Sequence, residues 1–241
     1  MGYALKDKNV VVVGLGRSGV AAARLCALRG ARVTATDTRE AGALGTAVAD
    51  LSALDVRLEL GGHTESTLLG ADLIVVSPGV PPLDVLAWAS RDGVPVVGEV
   101  ELAASFLEGK LVAITGTNGK STVTSLVGAM LGATGRPVFV GGNLGTPLAD
   151  AIGTPAAGPD GIVVCELSSF QLERTRWLRP HVALLINVTE DHLDRYRSFE
   201  EYAADGARLL VEMGGEAVVV GHSMGAYVGA TLAGFRPDLV K

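Results

Sequence analysis

Two cysteines in 241 residues cannot build a disulfide framework. Cys26 falls in a helical pattern and Cys165 in an apolar strand, so both are expected as core thiols in a reducing compartment. Basic residues are outnumbered. The 20 Lys and Arg stand against 26 Asp and Glu, for a net charge of −6. Without a basic surplus, a general nucleic-acid partner is not expected. Mean hydropathy is +0.37, yet Gly, Pro or a charge interrupts every apolar stretch short of the ~18 residues a spanning helix needs. No membrane association is expected. The start, Met-Gly-Tyr-Ala-Leu-Lys-Asp-Lys, has no apolar signal region. Lys6 stands where a myristoylation start wants Ser or Thr, and the expected location is cytoplasmic. Charged residues are scarce at 19% while apolar ones reach 48%, which excludes a disordered chain. Internal repeats are also lacking.

Glycine is plentiful, at 32 of 241 residues, nearly twice the ~7% of average usage. Short Val/Ile runs alternate with Ala/Leu-rich helical runs. Strands are expected at 10–13, 32–36, 73–76, 111–115, 162–165 and 182–187, and a helix at 20–29. Residues 156–161 read as a Pro/Gly loop. Continuous apolar strands between helices mean a parallel α/β sheet covered on both faces. Such sheets carry few charges and turn on glycines. The length allows one or two domains, with a boundary expected near 107–110, where a second strand and glycine loop begin.

The first glycine loop, Gly14-Leu15-Gly16-Arg17-Ser18-Gly19, follows a strand and opens a helix. Asp37 ends the next strand. This is the context of a dinucleotide fingerprint, in which glycines let the backbone approach a pyrophosphate at a helix N-terminus. NAD and other diphosphates are not separable on the motif alone, and a ligand-free tight turn stays open. Thr38 and Arg39 add a polar cluster for a base or ribose.

The second loop, Gly116-Thr117-Asn118-Gly119-Lys120-Ser121-Thr122, repeats the strand–loop–helix arrangement. The strict phosphate-loop spacing would need Gly at 114, where this chain has Ile. The shorter variant keeps the same physics. Backbone N–H groups cradle phosphates, Lys120 reaches the β/γ oxygens, and Ser121 or Thr122 ligates Mg2+. This is the strongest signal for an ATP-using enzyme. Glu166, at the end of an apolar strand, is placed to hold Mg2+ opposite Lys120, with a capped helix start at 166–172 as the alternative. The tract Asn187-Val-Thr-Glu190-Asp191-His192-Leu193-Asp194-Arg195 suits a hard cation or phosphate, or else a solvated polar turn. It lacks a zinc ligand set.

Taken together these residues resemble the Mur ligases of peptidoglycan synthesis, ATP-dependent amide-forming enzymes, and within them the D-glutamate-adding branch. The carriers are 14–19 with Asp37-Thr38-Arg39, Ser77-Pro78-Gly79-Val80-Pro81, 116–121, Gly141-Gly142-Asn143-Leu144-Gly145, Glu166 to Leu172, and the 187–195 tract. They occur in the family order over about residues 5–204.

The resemblance implies a Rossmann-like UDP-sugar-binding domain at 1–108, followed by an incomplete phosphate-loop-type ATP-binding domain at 109–204. It implies ATP and Mg2+ as cofactors, UDP-N-acetylmuramoyl-L-alanine and D-glutamate as substrates, and a monomer. It implies Lys120, His192 and Asn143 as catalytic residues and Gly116 to Thr122 at ATP. Ser121, Glu166 and His192 would hold metal. Gly16, Arg17, Ser18, Asp37, Thr38, Arg39, Gly79, Asn143 and Ser168 would meet the UDP-sugar.

The chain also departs from the family pattern. The family's carbamylated lysine would fall at Gly206, and no lysine occurs between Lys120 and Lys241. The family's C-terminal domain, which binds D-glutamate, is expected to be missing. Residues 205–241 resemble an α/β-hydrolase nucleophile elbow, with Gly221-His222-Ser223-Met224-Gly225 after a Val run. No His follows Ser223, so that serine is expected to be idle. The expectation is therefore a ligase with impaired turnover. The alternatives are a binding fragment, an NAD-dependent oxidoreductase and a serine hydrolase.

Overall fold

A computed structural model describes residues 2–187. The chain forms two compact units. The first comprises 1–107 with the returning segments Thr146–Thr154 and Arg174–Arg176, and the second begins at Glu108.

The first unit is a five-stranded parallel sheet. Its strands are β1 (Asn9–Val13), β2 (Arg32–Asp37), β3 (Arg57–Leu60), β4 (Leu73–Val76) and β5 (Val96–Gly98), in the order β3-β2-β1-β4-β5. The central strands are apolar on both faces. Val10 to Val13 are at most 3% exposed, and Ile74 to Val76 at most 1%. Each such side chain contributes roughly 1.5–3 kcal/mol by leaving water. Helix α1 (Arg17–Leu28) lies between β1 and β2, and it buries Ala21, Ala22, Ala23, Leu25 and Cys26; α2 (Ala47–Ser52), α3 (Glu65–Leu69) and α4 (Asp84–Arg91) occupy the next three crossovers. Burial raises the Cys26 thiol to about 12, so it is inert packing, as its sequence context implied. The chain order reverses direction at β1, where β2 and β4 flank it on opposite sides. Ligands of open α/β sheets bind outside the carboxyl ends of strands at such a point. The first glycine loop leaves β1 there.

One buried acid ties a returning segment to this unit. Glu99 opens helix α5 (Glu99–Ala104) and is 1% exposed. Its Oε1 accepts from the Ala149 amide at 2.5 Å, in the 3-10 turn Leu148–Ala151. Its Oε2 has no partner. Burial raises the carboxyl to about 7.

Among the described residues the second unit forms a four-stranded parallel sheet of β6 (Lys110–Thr115), β7 (Val138–Gly142), β8 (Ile162–Glu166) and β9 (Val182–Leu185), in the order β7-β8-β6-β9. Helix α6 (Lys120–Gly132) follows β6. β6 lies between β8 and β9, so the loop that leaves its carboxyl end has the end of β8 on one side and the end of β9 on the other. Ile114 is in register with Glu166, and Thr115 with Leu185.

Three strands were not anticipated. β3 alternates as Arg-Leu-Glu-Leu at a sheet edge, β5 has three residues, and β7 ends in two glycines. Edge and short strands lack the continuous apolar run that marks the centre of a parallel sheet. Helix α1 begins at Arg17 rather than Val20, because the loop's last residues already turn helically. The β9 ladder ends at Leu185, and Asn187 turns its polar groups to the neighbouring loop. Among the described residues no helix is long and apolar enough to cross a membrane.

Candidate functional site: two glycine loops

The first loop is locked by sterics and by one carboxylate. A Cβ on Gly19 would stand 1.8 Å from the Gly14 carbonyl oxygen. Gly14 has φ +86°, and a Cβ there would stand 2.6 Å from Val80 Cγ2. The Ser77 hydroxyl donates to the Gly14 carbonyl at 2.7 Å, linking the end of β4 to the end of β1. Gly16 differs. It is exposed, and a Cβ would meet nothing within 4 Å. Gly16, Arg17 and Ser18 line this open side, at the end of a helix whose first amides have no intrahelical acceptor. Gly79 and Thr38 are exposed as well.

Asp37 is 4% exposed. Its Oδ2 accepts from the Leu15 amide at 2.6 Å and from Arg39 Nη2 at 2.8 Å. Its Oδ1 accepts from the Arg39 amide at 2.8 Å and from Arg39 Nε at 2.9 Å. Four donors fill the four lone-pair sites of a carboxylate. The Arg39 guanidinium and these N–H groups hold the carboxyl well below its usual range. Asp37 was expected beside a base or ribose. In the structure it fixes the loop at Leu15 and holds Arg39, whose side chain is 46% exposed. All four lone-pair sites of the acid are thus taken by the loop and by Arg39 in this structure.

The second loop keeps polar capacity in reserve. Gly116 has φ +147°, and Gly119, the N-cap of α6, has φ +80°. Lys120 Nζ folds back and donates to the loop carbonyls of Gly116 at 2.7 Å and Thr117 at 2.9 Å. Ser121 and Thr122 are exposed on the first turn of α6, and Asn118 is exposed in the loop. At the end of β8, Glu166 is 2% exposed. Its Oε1 accepts from Asn143 Nδ2 at 2.7 Å, while its Oε2 is buried without a partner. The Asn143 amide also donates to the Glu166 carbonyl at 2.8 Å. Gly142 makes this approach possible, because a Cβ there would stand 2.4 Å from that carbonyl oxygen. Asn143, expected among the catalytic residues and at the sugar nucleotide, is hydrogen-bonded to the Glu166 carboxylate.

Ser168 caps the short helix α7 (Ser169–Leu172). Its hydroxyl accepts from the Gln171 amide, and Gln171 Oε1 accepts from the Ser168 amide at 2.9 Å. The capped helix start weighed for 166–172 is therefore present beside the acid. Among the described residues no group of three His, Cys, Asp or Glu gathers as a metal cluster. A lone buried carboxylate oxygen beside a phosphate-type loop suits Mg2+, which is held by one or two carboxylates together with phosphates and water. His192, Gly206, Ser223 and the hydrolase-like stretch lie outside the described residues. Asn187 was read only as the start of an acidic tract. It proves to touch the loop, with Oδ1 accepting from the Asn118 amide at 2.9 Å.

A glycine-loop unit of Rossmann-like order, followed by a parallel sheet with a Gly-Lys-Ser loop and a buried acid, defines a nucleotide-handling α/β protein. Two family descriptions match it: "Mur ligase MurD-like, N-terminal domain" over residues 8–98 and "Mur ligase middle domain" over 114–232. The chain belongs to the Mur ligase family. It is 53% identical over 239 residues to a UDP-N-acetylmuramoylalanine--D-glutamate ligase of Anaeromyxobacter dehalogenans, covering 98% of this chain and 50% of that protein. It is 54% identical over 211 residues to the ligase of the same name from Citrifermentans bemidjiense, covering 86% and 45%. The chain thus spans about half the length of the curated relatives it matches. A murein peptide ligase from Psychrobacter arcticus shares the fold, with a TM-score of 0.58 at 18% identity over 94% of this chain and 51% of that one. The middle-domain match and the Anaeromyxobacter alignment both run past residue 204.

Proposed function

We propose that the chain supplies the UDP-sugar-binding and ATP-binding parts of a ligase that joins D-glutamate to UDP-N-acetylmuramoyl-L-alanine in the cytoplasm. The observation that carries the reading is the Glu166 carboxylate, buried with one oxygen unpartnered, in register with the strand that delivers the Gly-Lys-Ser loop. A buried carboxylate oxygen without a donor costs free energy unless a cation completes it. The naming of the 53%-identical relative supports the substrates.

The proposed chemistry starts from a carboxylate, which is a poor electrophile. The alanyl carboxylate takes the γ-phosphoryl group of ATP and becomes an acyl phosphate, with ADP as the leaving group. The amine of D-glutamate attacks, loses a proton, and phosphate leaves to give the amide. Mg2+, when bound, neutralises charge on the transferring phosphate oxygens. Lys120 would exchange the Gly116 and Thr117 carbonyls for phosphate oxygens, and the Ser121 hydroxyl and Glu166 Oε2 would hold the metal. Asn143 keeps Glu166 aimed, and catalysis is otherwise positioning and charge neutralisation. In the first unit, Gly16, Arg17, Ser18, Thr38, Arg39 and Gly79 would line the UDP-sugar, with Asp37 acting through Leu15 and Arg39. His192 would take a second metal.

For domain limits we propose 1–108 and 109–204, with 205–241 as a distinct segment. The middle-domain match to residue 232 is the observation against that last limit. The 241 residues are expected to bind UDP-N-acetylmuramoyl-L-alanine and ATP. Isothermal titration of each tests this, and failure of either to bind would contradict the reading.

A further inference from the structure

We propose that Asn187 is a positioning residue for the second glycine loop, holding it in the shape that receives phosphate groups. The inference rests on the reading of that loop as a nucleotide site. Three hydrogen bonds converge on this residue. The Thr117 amide donates to the Asn187 carbonyl at 3.0 Å. The Asn118 amide donates to Asn187 Oδ1 at 2.9 Å, and Asn187 Nδ2 donates to the Asn118 carbonyl at 2.9 Å. The side-chain amide thus pairs with both the backbone N–H and the backbone C=O of Asn118, as a neighbouring strand would. Gly116 fits closely beneath it, since a Cβ there would stand 3.1 Å from the Asn187 carbonyl oxygen.

Geometry explains why such a clamp acts on binding. Residues 116–119 bridge β6 to α6, and two of the four are glycines at positive φ. Glycine-rich backbone loses the most conformational freedom when it is ordered. A loop ordered only by its ligand charges that cost to the binding equilibrium, whereas a pre-ordered loop does not. Asn187 occupies the amides of Thr117 and Asn118. The first-turn amides of α6, from Lys120 onward, have no intrahelical acceptor and are the donors left for phosphate oxygens. The strand order makes this possible, because β9 is the direct neighbour of β6.

The test titrates Mg·ATP into the full chain and into Asn187→Ala, and reads amide hydrogen exchange at Asn118 without nucleotide. The expected result is a Kd about tenfold higher in Asn187→Ala and faster exchange at Asn118. A purely structural role would lower the melting temperature and leave the Kd of the folded protein unchanged, and that outcome overturns the proposal. Free exchange of the Asn118 amide in the unaltered chain overturns it too, whatever the variants do. If Asn187→Ala does not fold, Asn187→Asp, which keeps the acceptor and loses the donor, is read in the same two assays. No Mg·ATP binding by the unaltered chain sinks the nucleotide reading along with the clamp. Equal binding by both proteins sinks the clamp alone.

Discussion

The two glycine loops look alike as sequence and differ as chemistry. Each follows a buried parallel strand and opens a helix, and each has one acid at the end of an adjacent strand. Around the first loop every oxygen of that acid is taken, since Asp37 accepts four hydrogen bonds. Around the second, Glu166 accepts one from Asn143 and leaves Oε2 buried and unpartnered. The lysine there is parked on carbonyls of its own loop. Asp37 is saturated by the backbone and Arg39 around it, whereas Glu166 keeps one buried oxygen without a donor. The first loop therefore offers backbone and exposed Arg39, and the second offers charge.

The largest test of this contrast is steric. Gly19→Ala places a methyl where the Gly14 carbonyl oxygen stands, and is expected to destabilise the first unit by about 3 kcal/mol or more. Gly16→Ala meets open space and should stay within ~1 kcal/mol of the unaltered chain. Urea unfolding of the two variants checks both, and similar losses would show that the loop is not locked where stated.

Next comes titration, which separates a filled acid from a half-filled one inside the first unit. Glu99 has a folded pKa of about 7 against 4.5 for the free group. The folded state therefore holds the proton more tightly, and stability falls as pH rises from about 4.5 to 7, by roughly 3 kcal/mol across the window. Glu99→Gln should flatten that slope in denaturation midpoints taken at pH 5 and pH 8. Asp37 has the opposite sign. Its pKa is depressed, so its contribution is present above the free-carboxyl range and is lost as pH falls below it. Asp37→Ala strands the buried Leu15 amide and should cost about 2 kcal/mol at neutral pH.

The smallest stability effects are expected at the second loop. Lys120→Ala removes only contacts to loop carbonyls, and Glu166→Gln removes a buried charge that lacks a full set of donors. Both should change unfolding free energy by less than ~1 kcal/mol, while nucleotide binding drops at least tenfold. A large stability loss in either would mean that the residue serves the fold instead.

The central strands were legible because Val10 to Val13, Leu73 to Val76 and Ile162 to Cys165 are apolar on both faces, which only a covered parallel strand requires. Both loops were legible as strand-to-helix turns because their glycines directly follow an apolar run and precede a helical one. The allocation of hydrogen bonds was not. Asp37 and Glu166 occupy equivalent places after strands, and nothing in their neighbours along the chain says that Arg39 closes on one while Asn143 leaves the other half open. The Asn143 contact depends on Gly142, whose missing side chain lets β7 approach β8 at Glu166. Asn187 was hidden for a related reason. Its partner Asn118 lies 69 residues away, and only the placement of β9 beside β6 joins them.

The central claim is that the unpartnered Glu166 oxygen marks the metal–phosphate side of a nucleotide site. The most direct measurement is isothermal titration of ATP, with and without Mg2+, into the unaltered chain and Glu166→Gln. Saturable one-to-one binding that requires Mg2+ and weakens at least tenfold in Glu166→Gln is the predicted result. Equal affinity in the two proteins, or affinity indifferent to Mg2+, would contradict it.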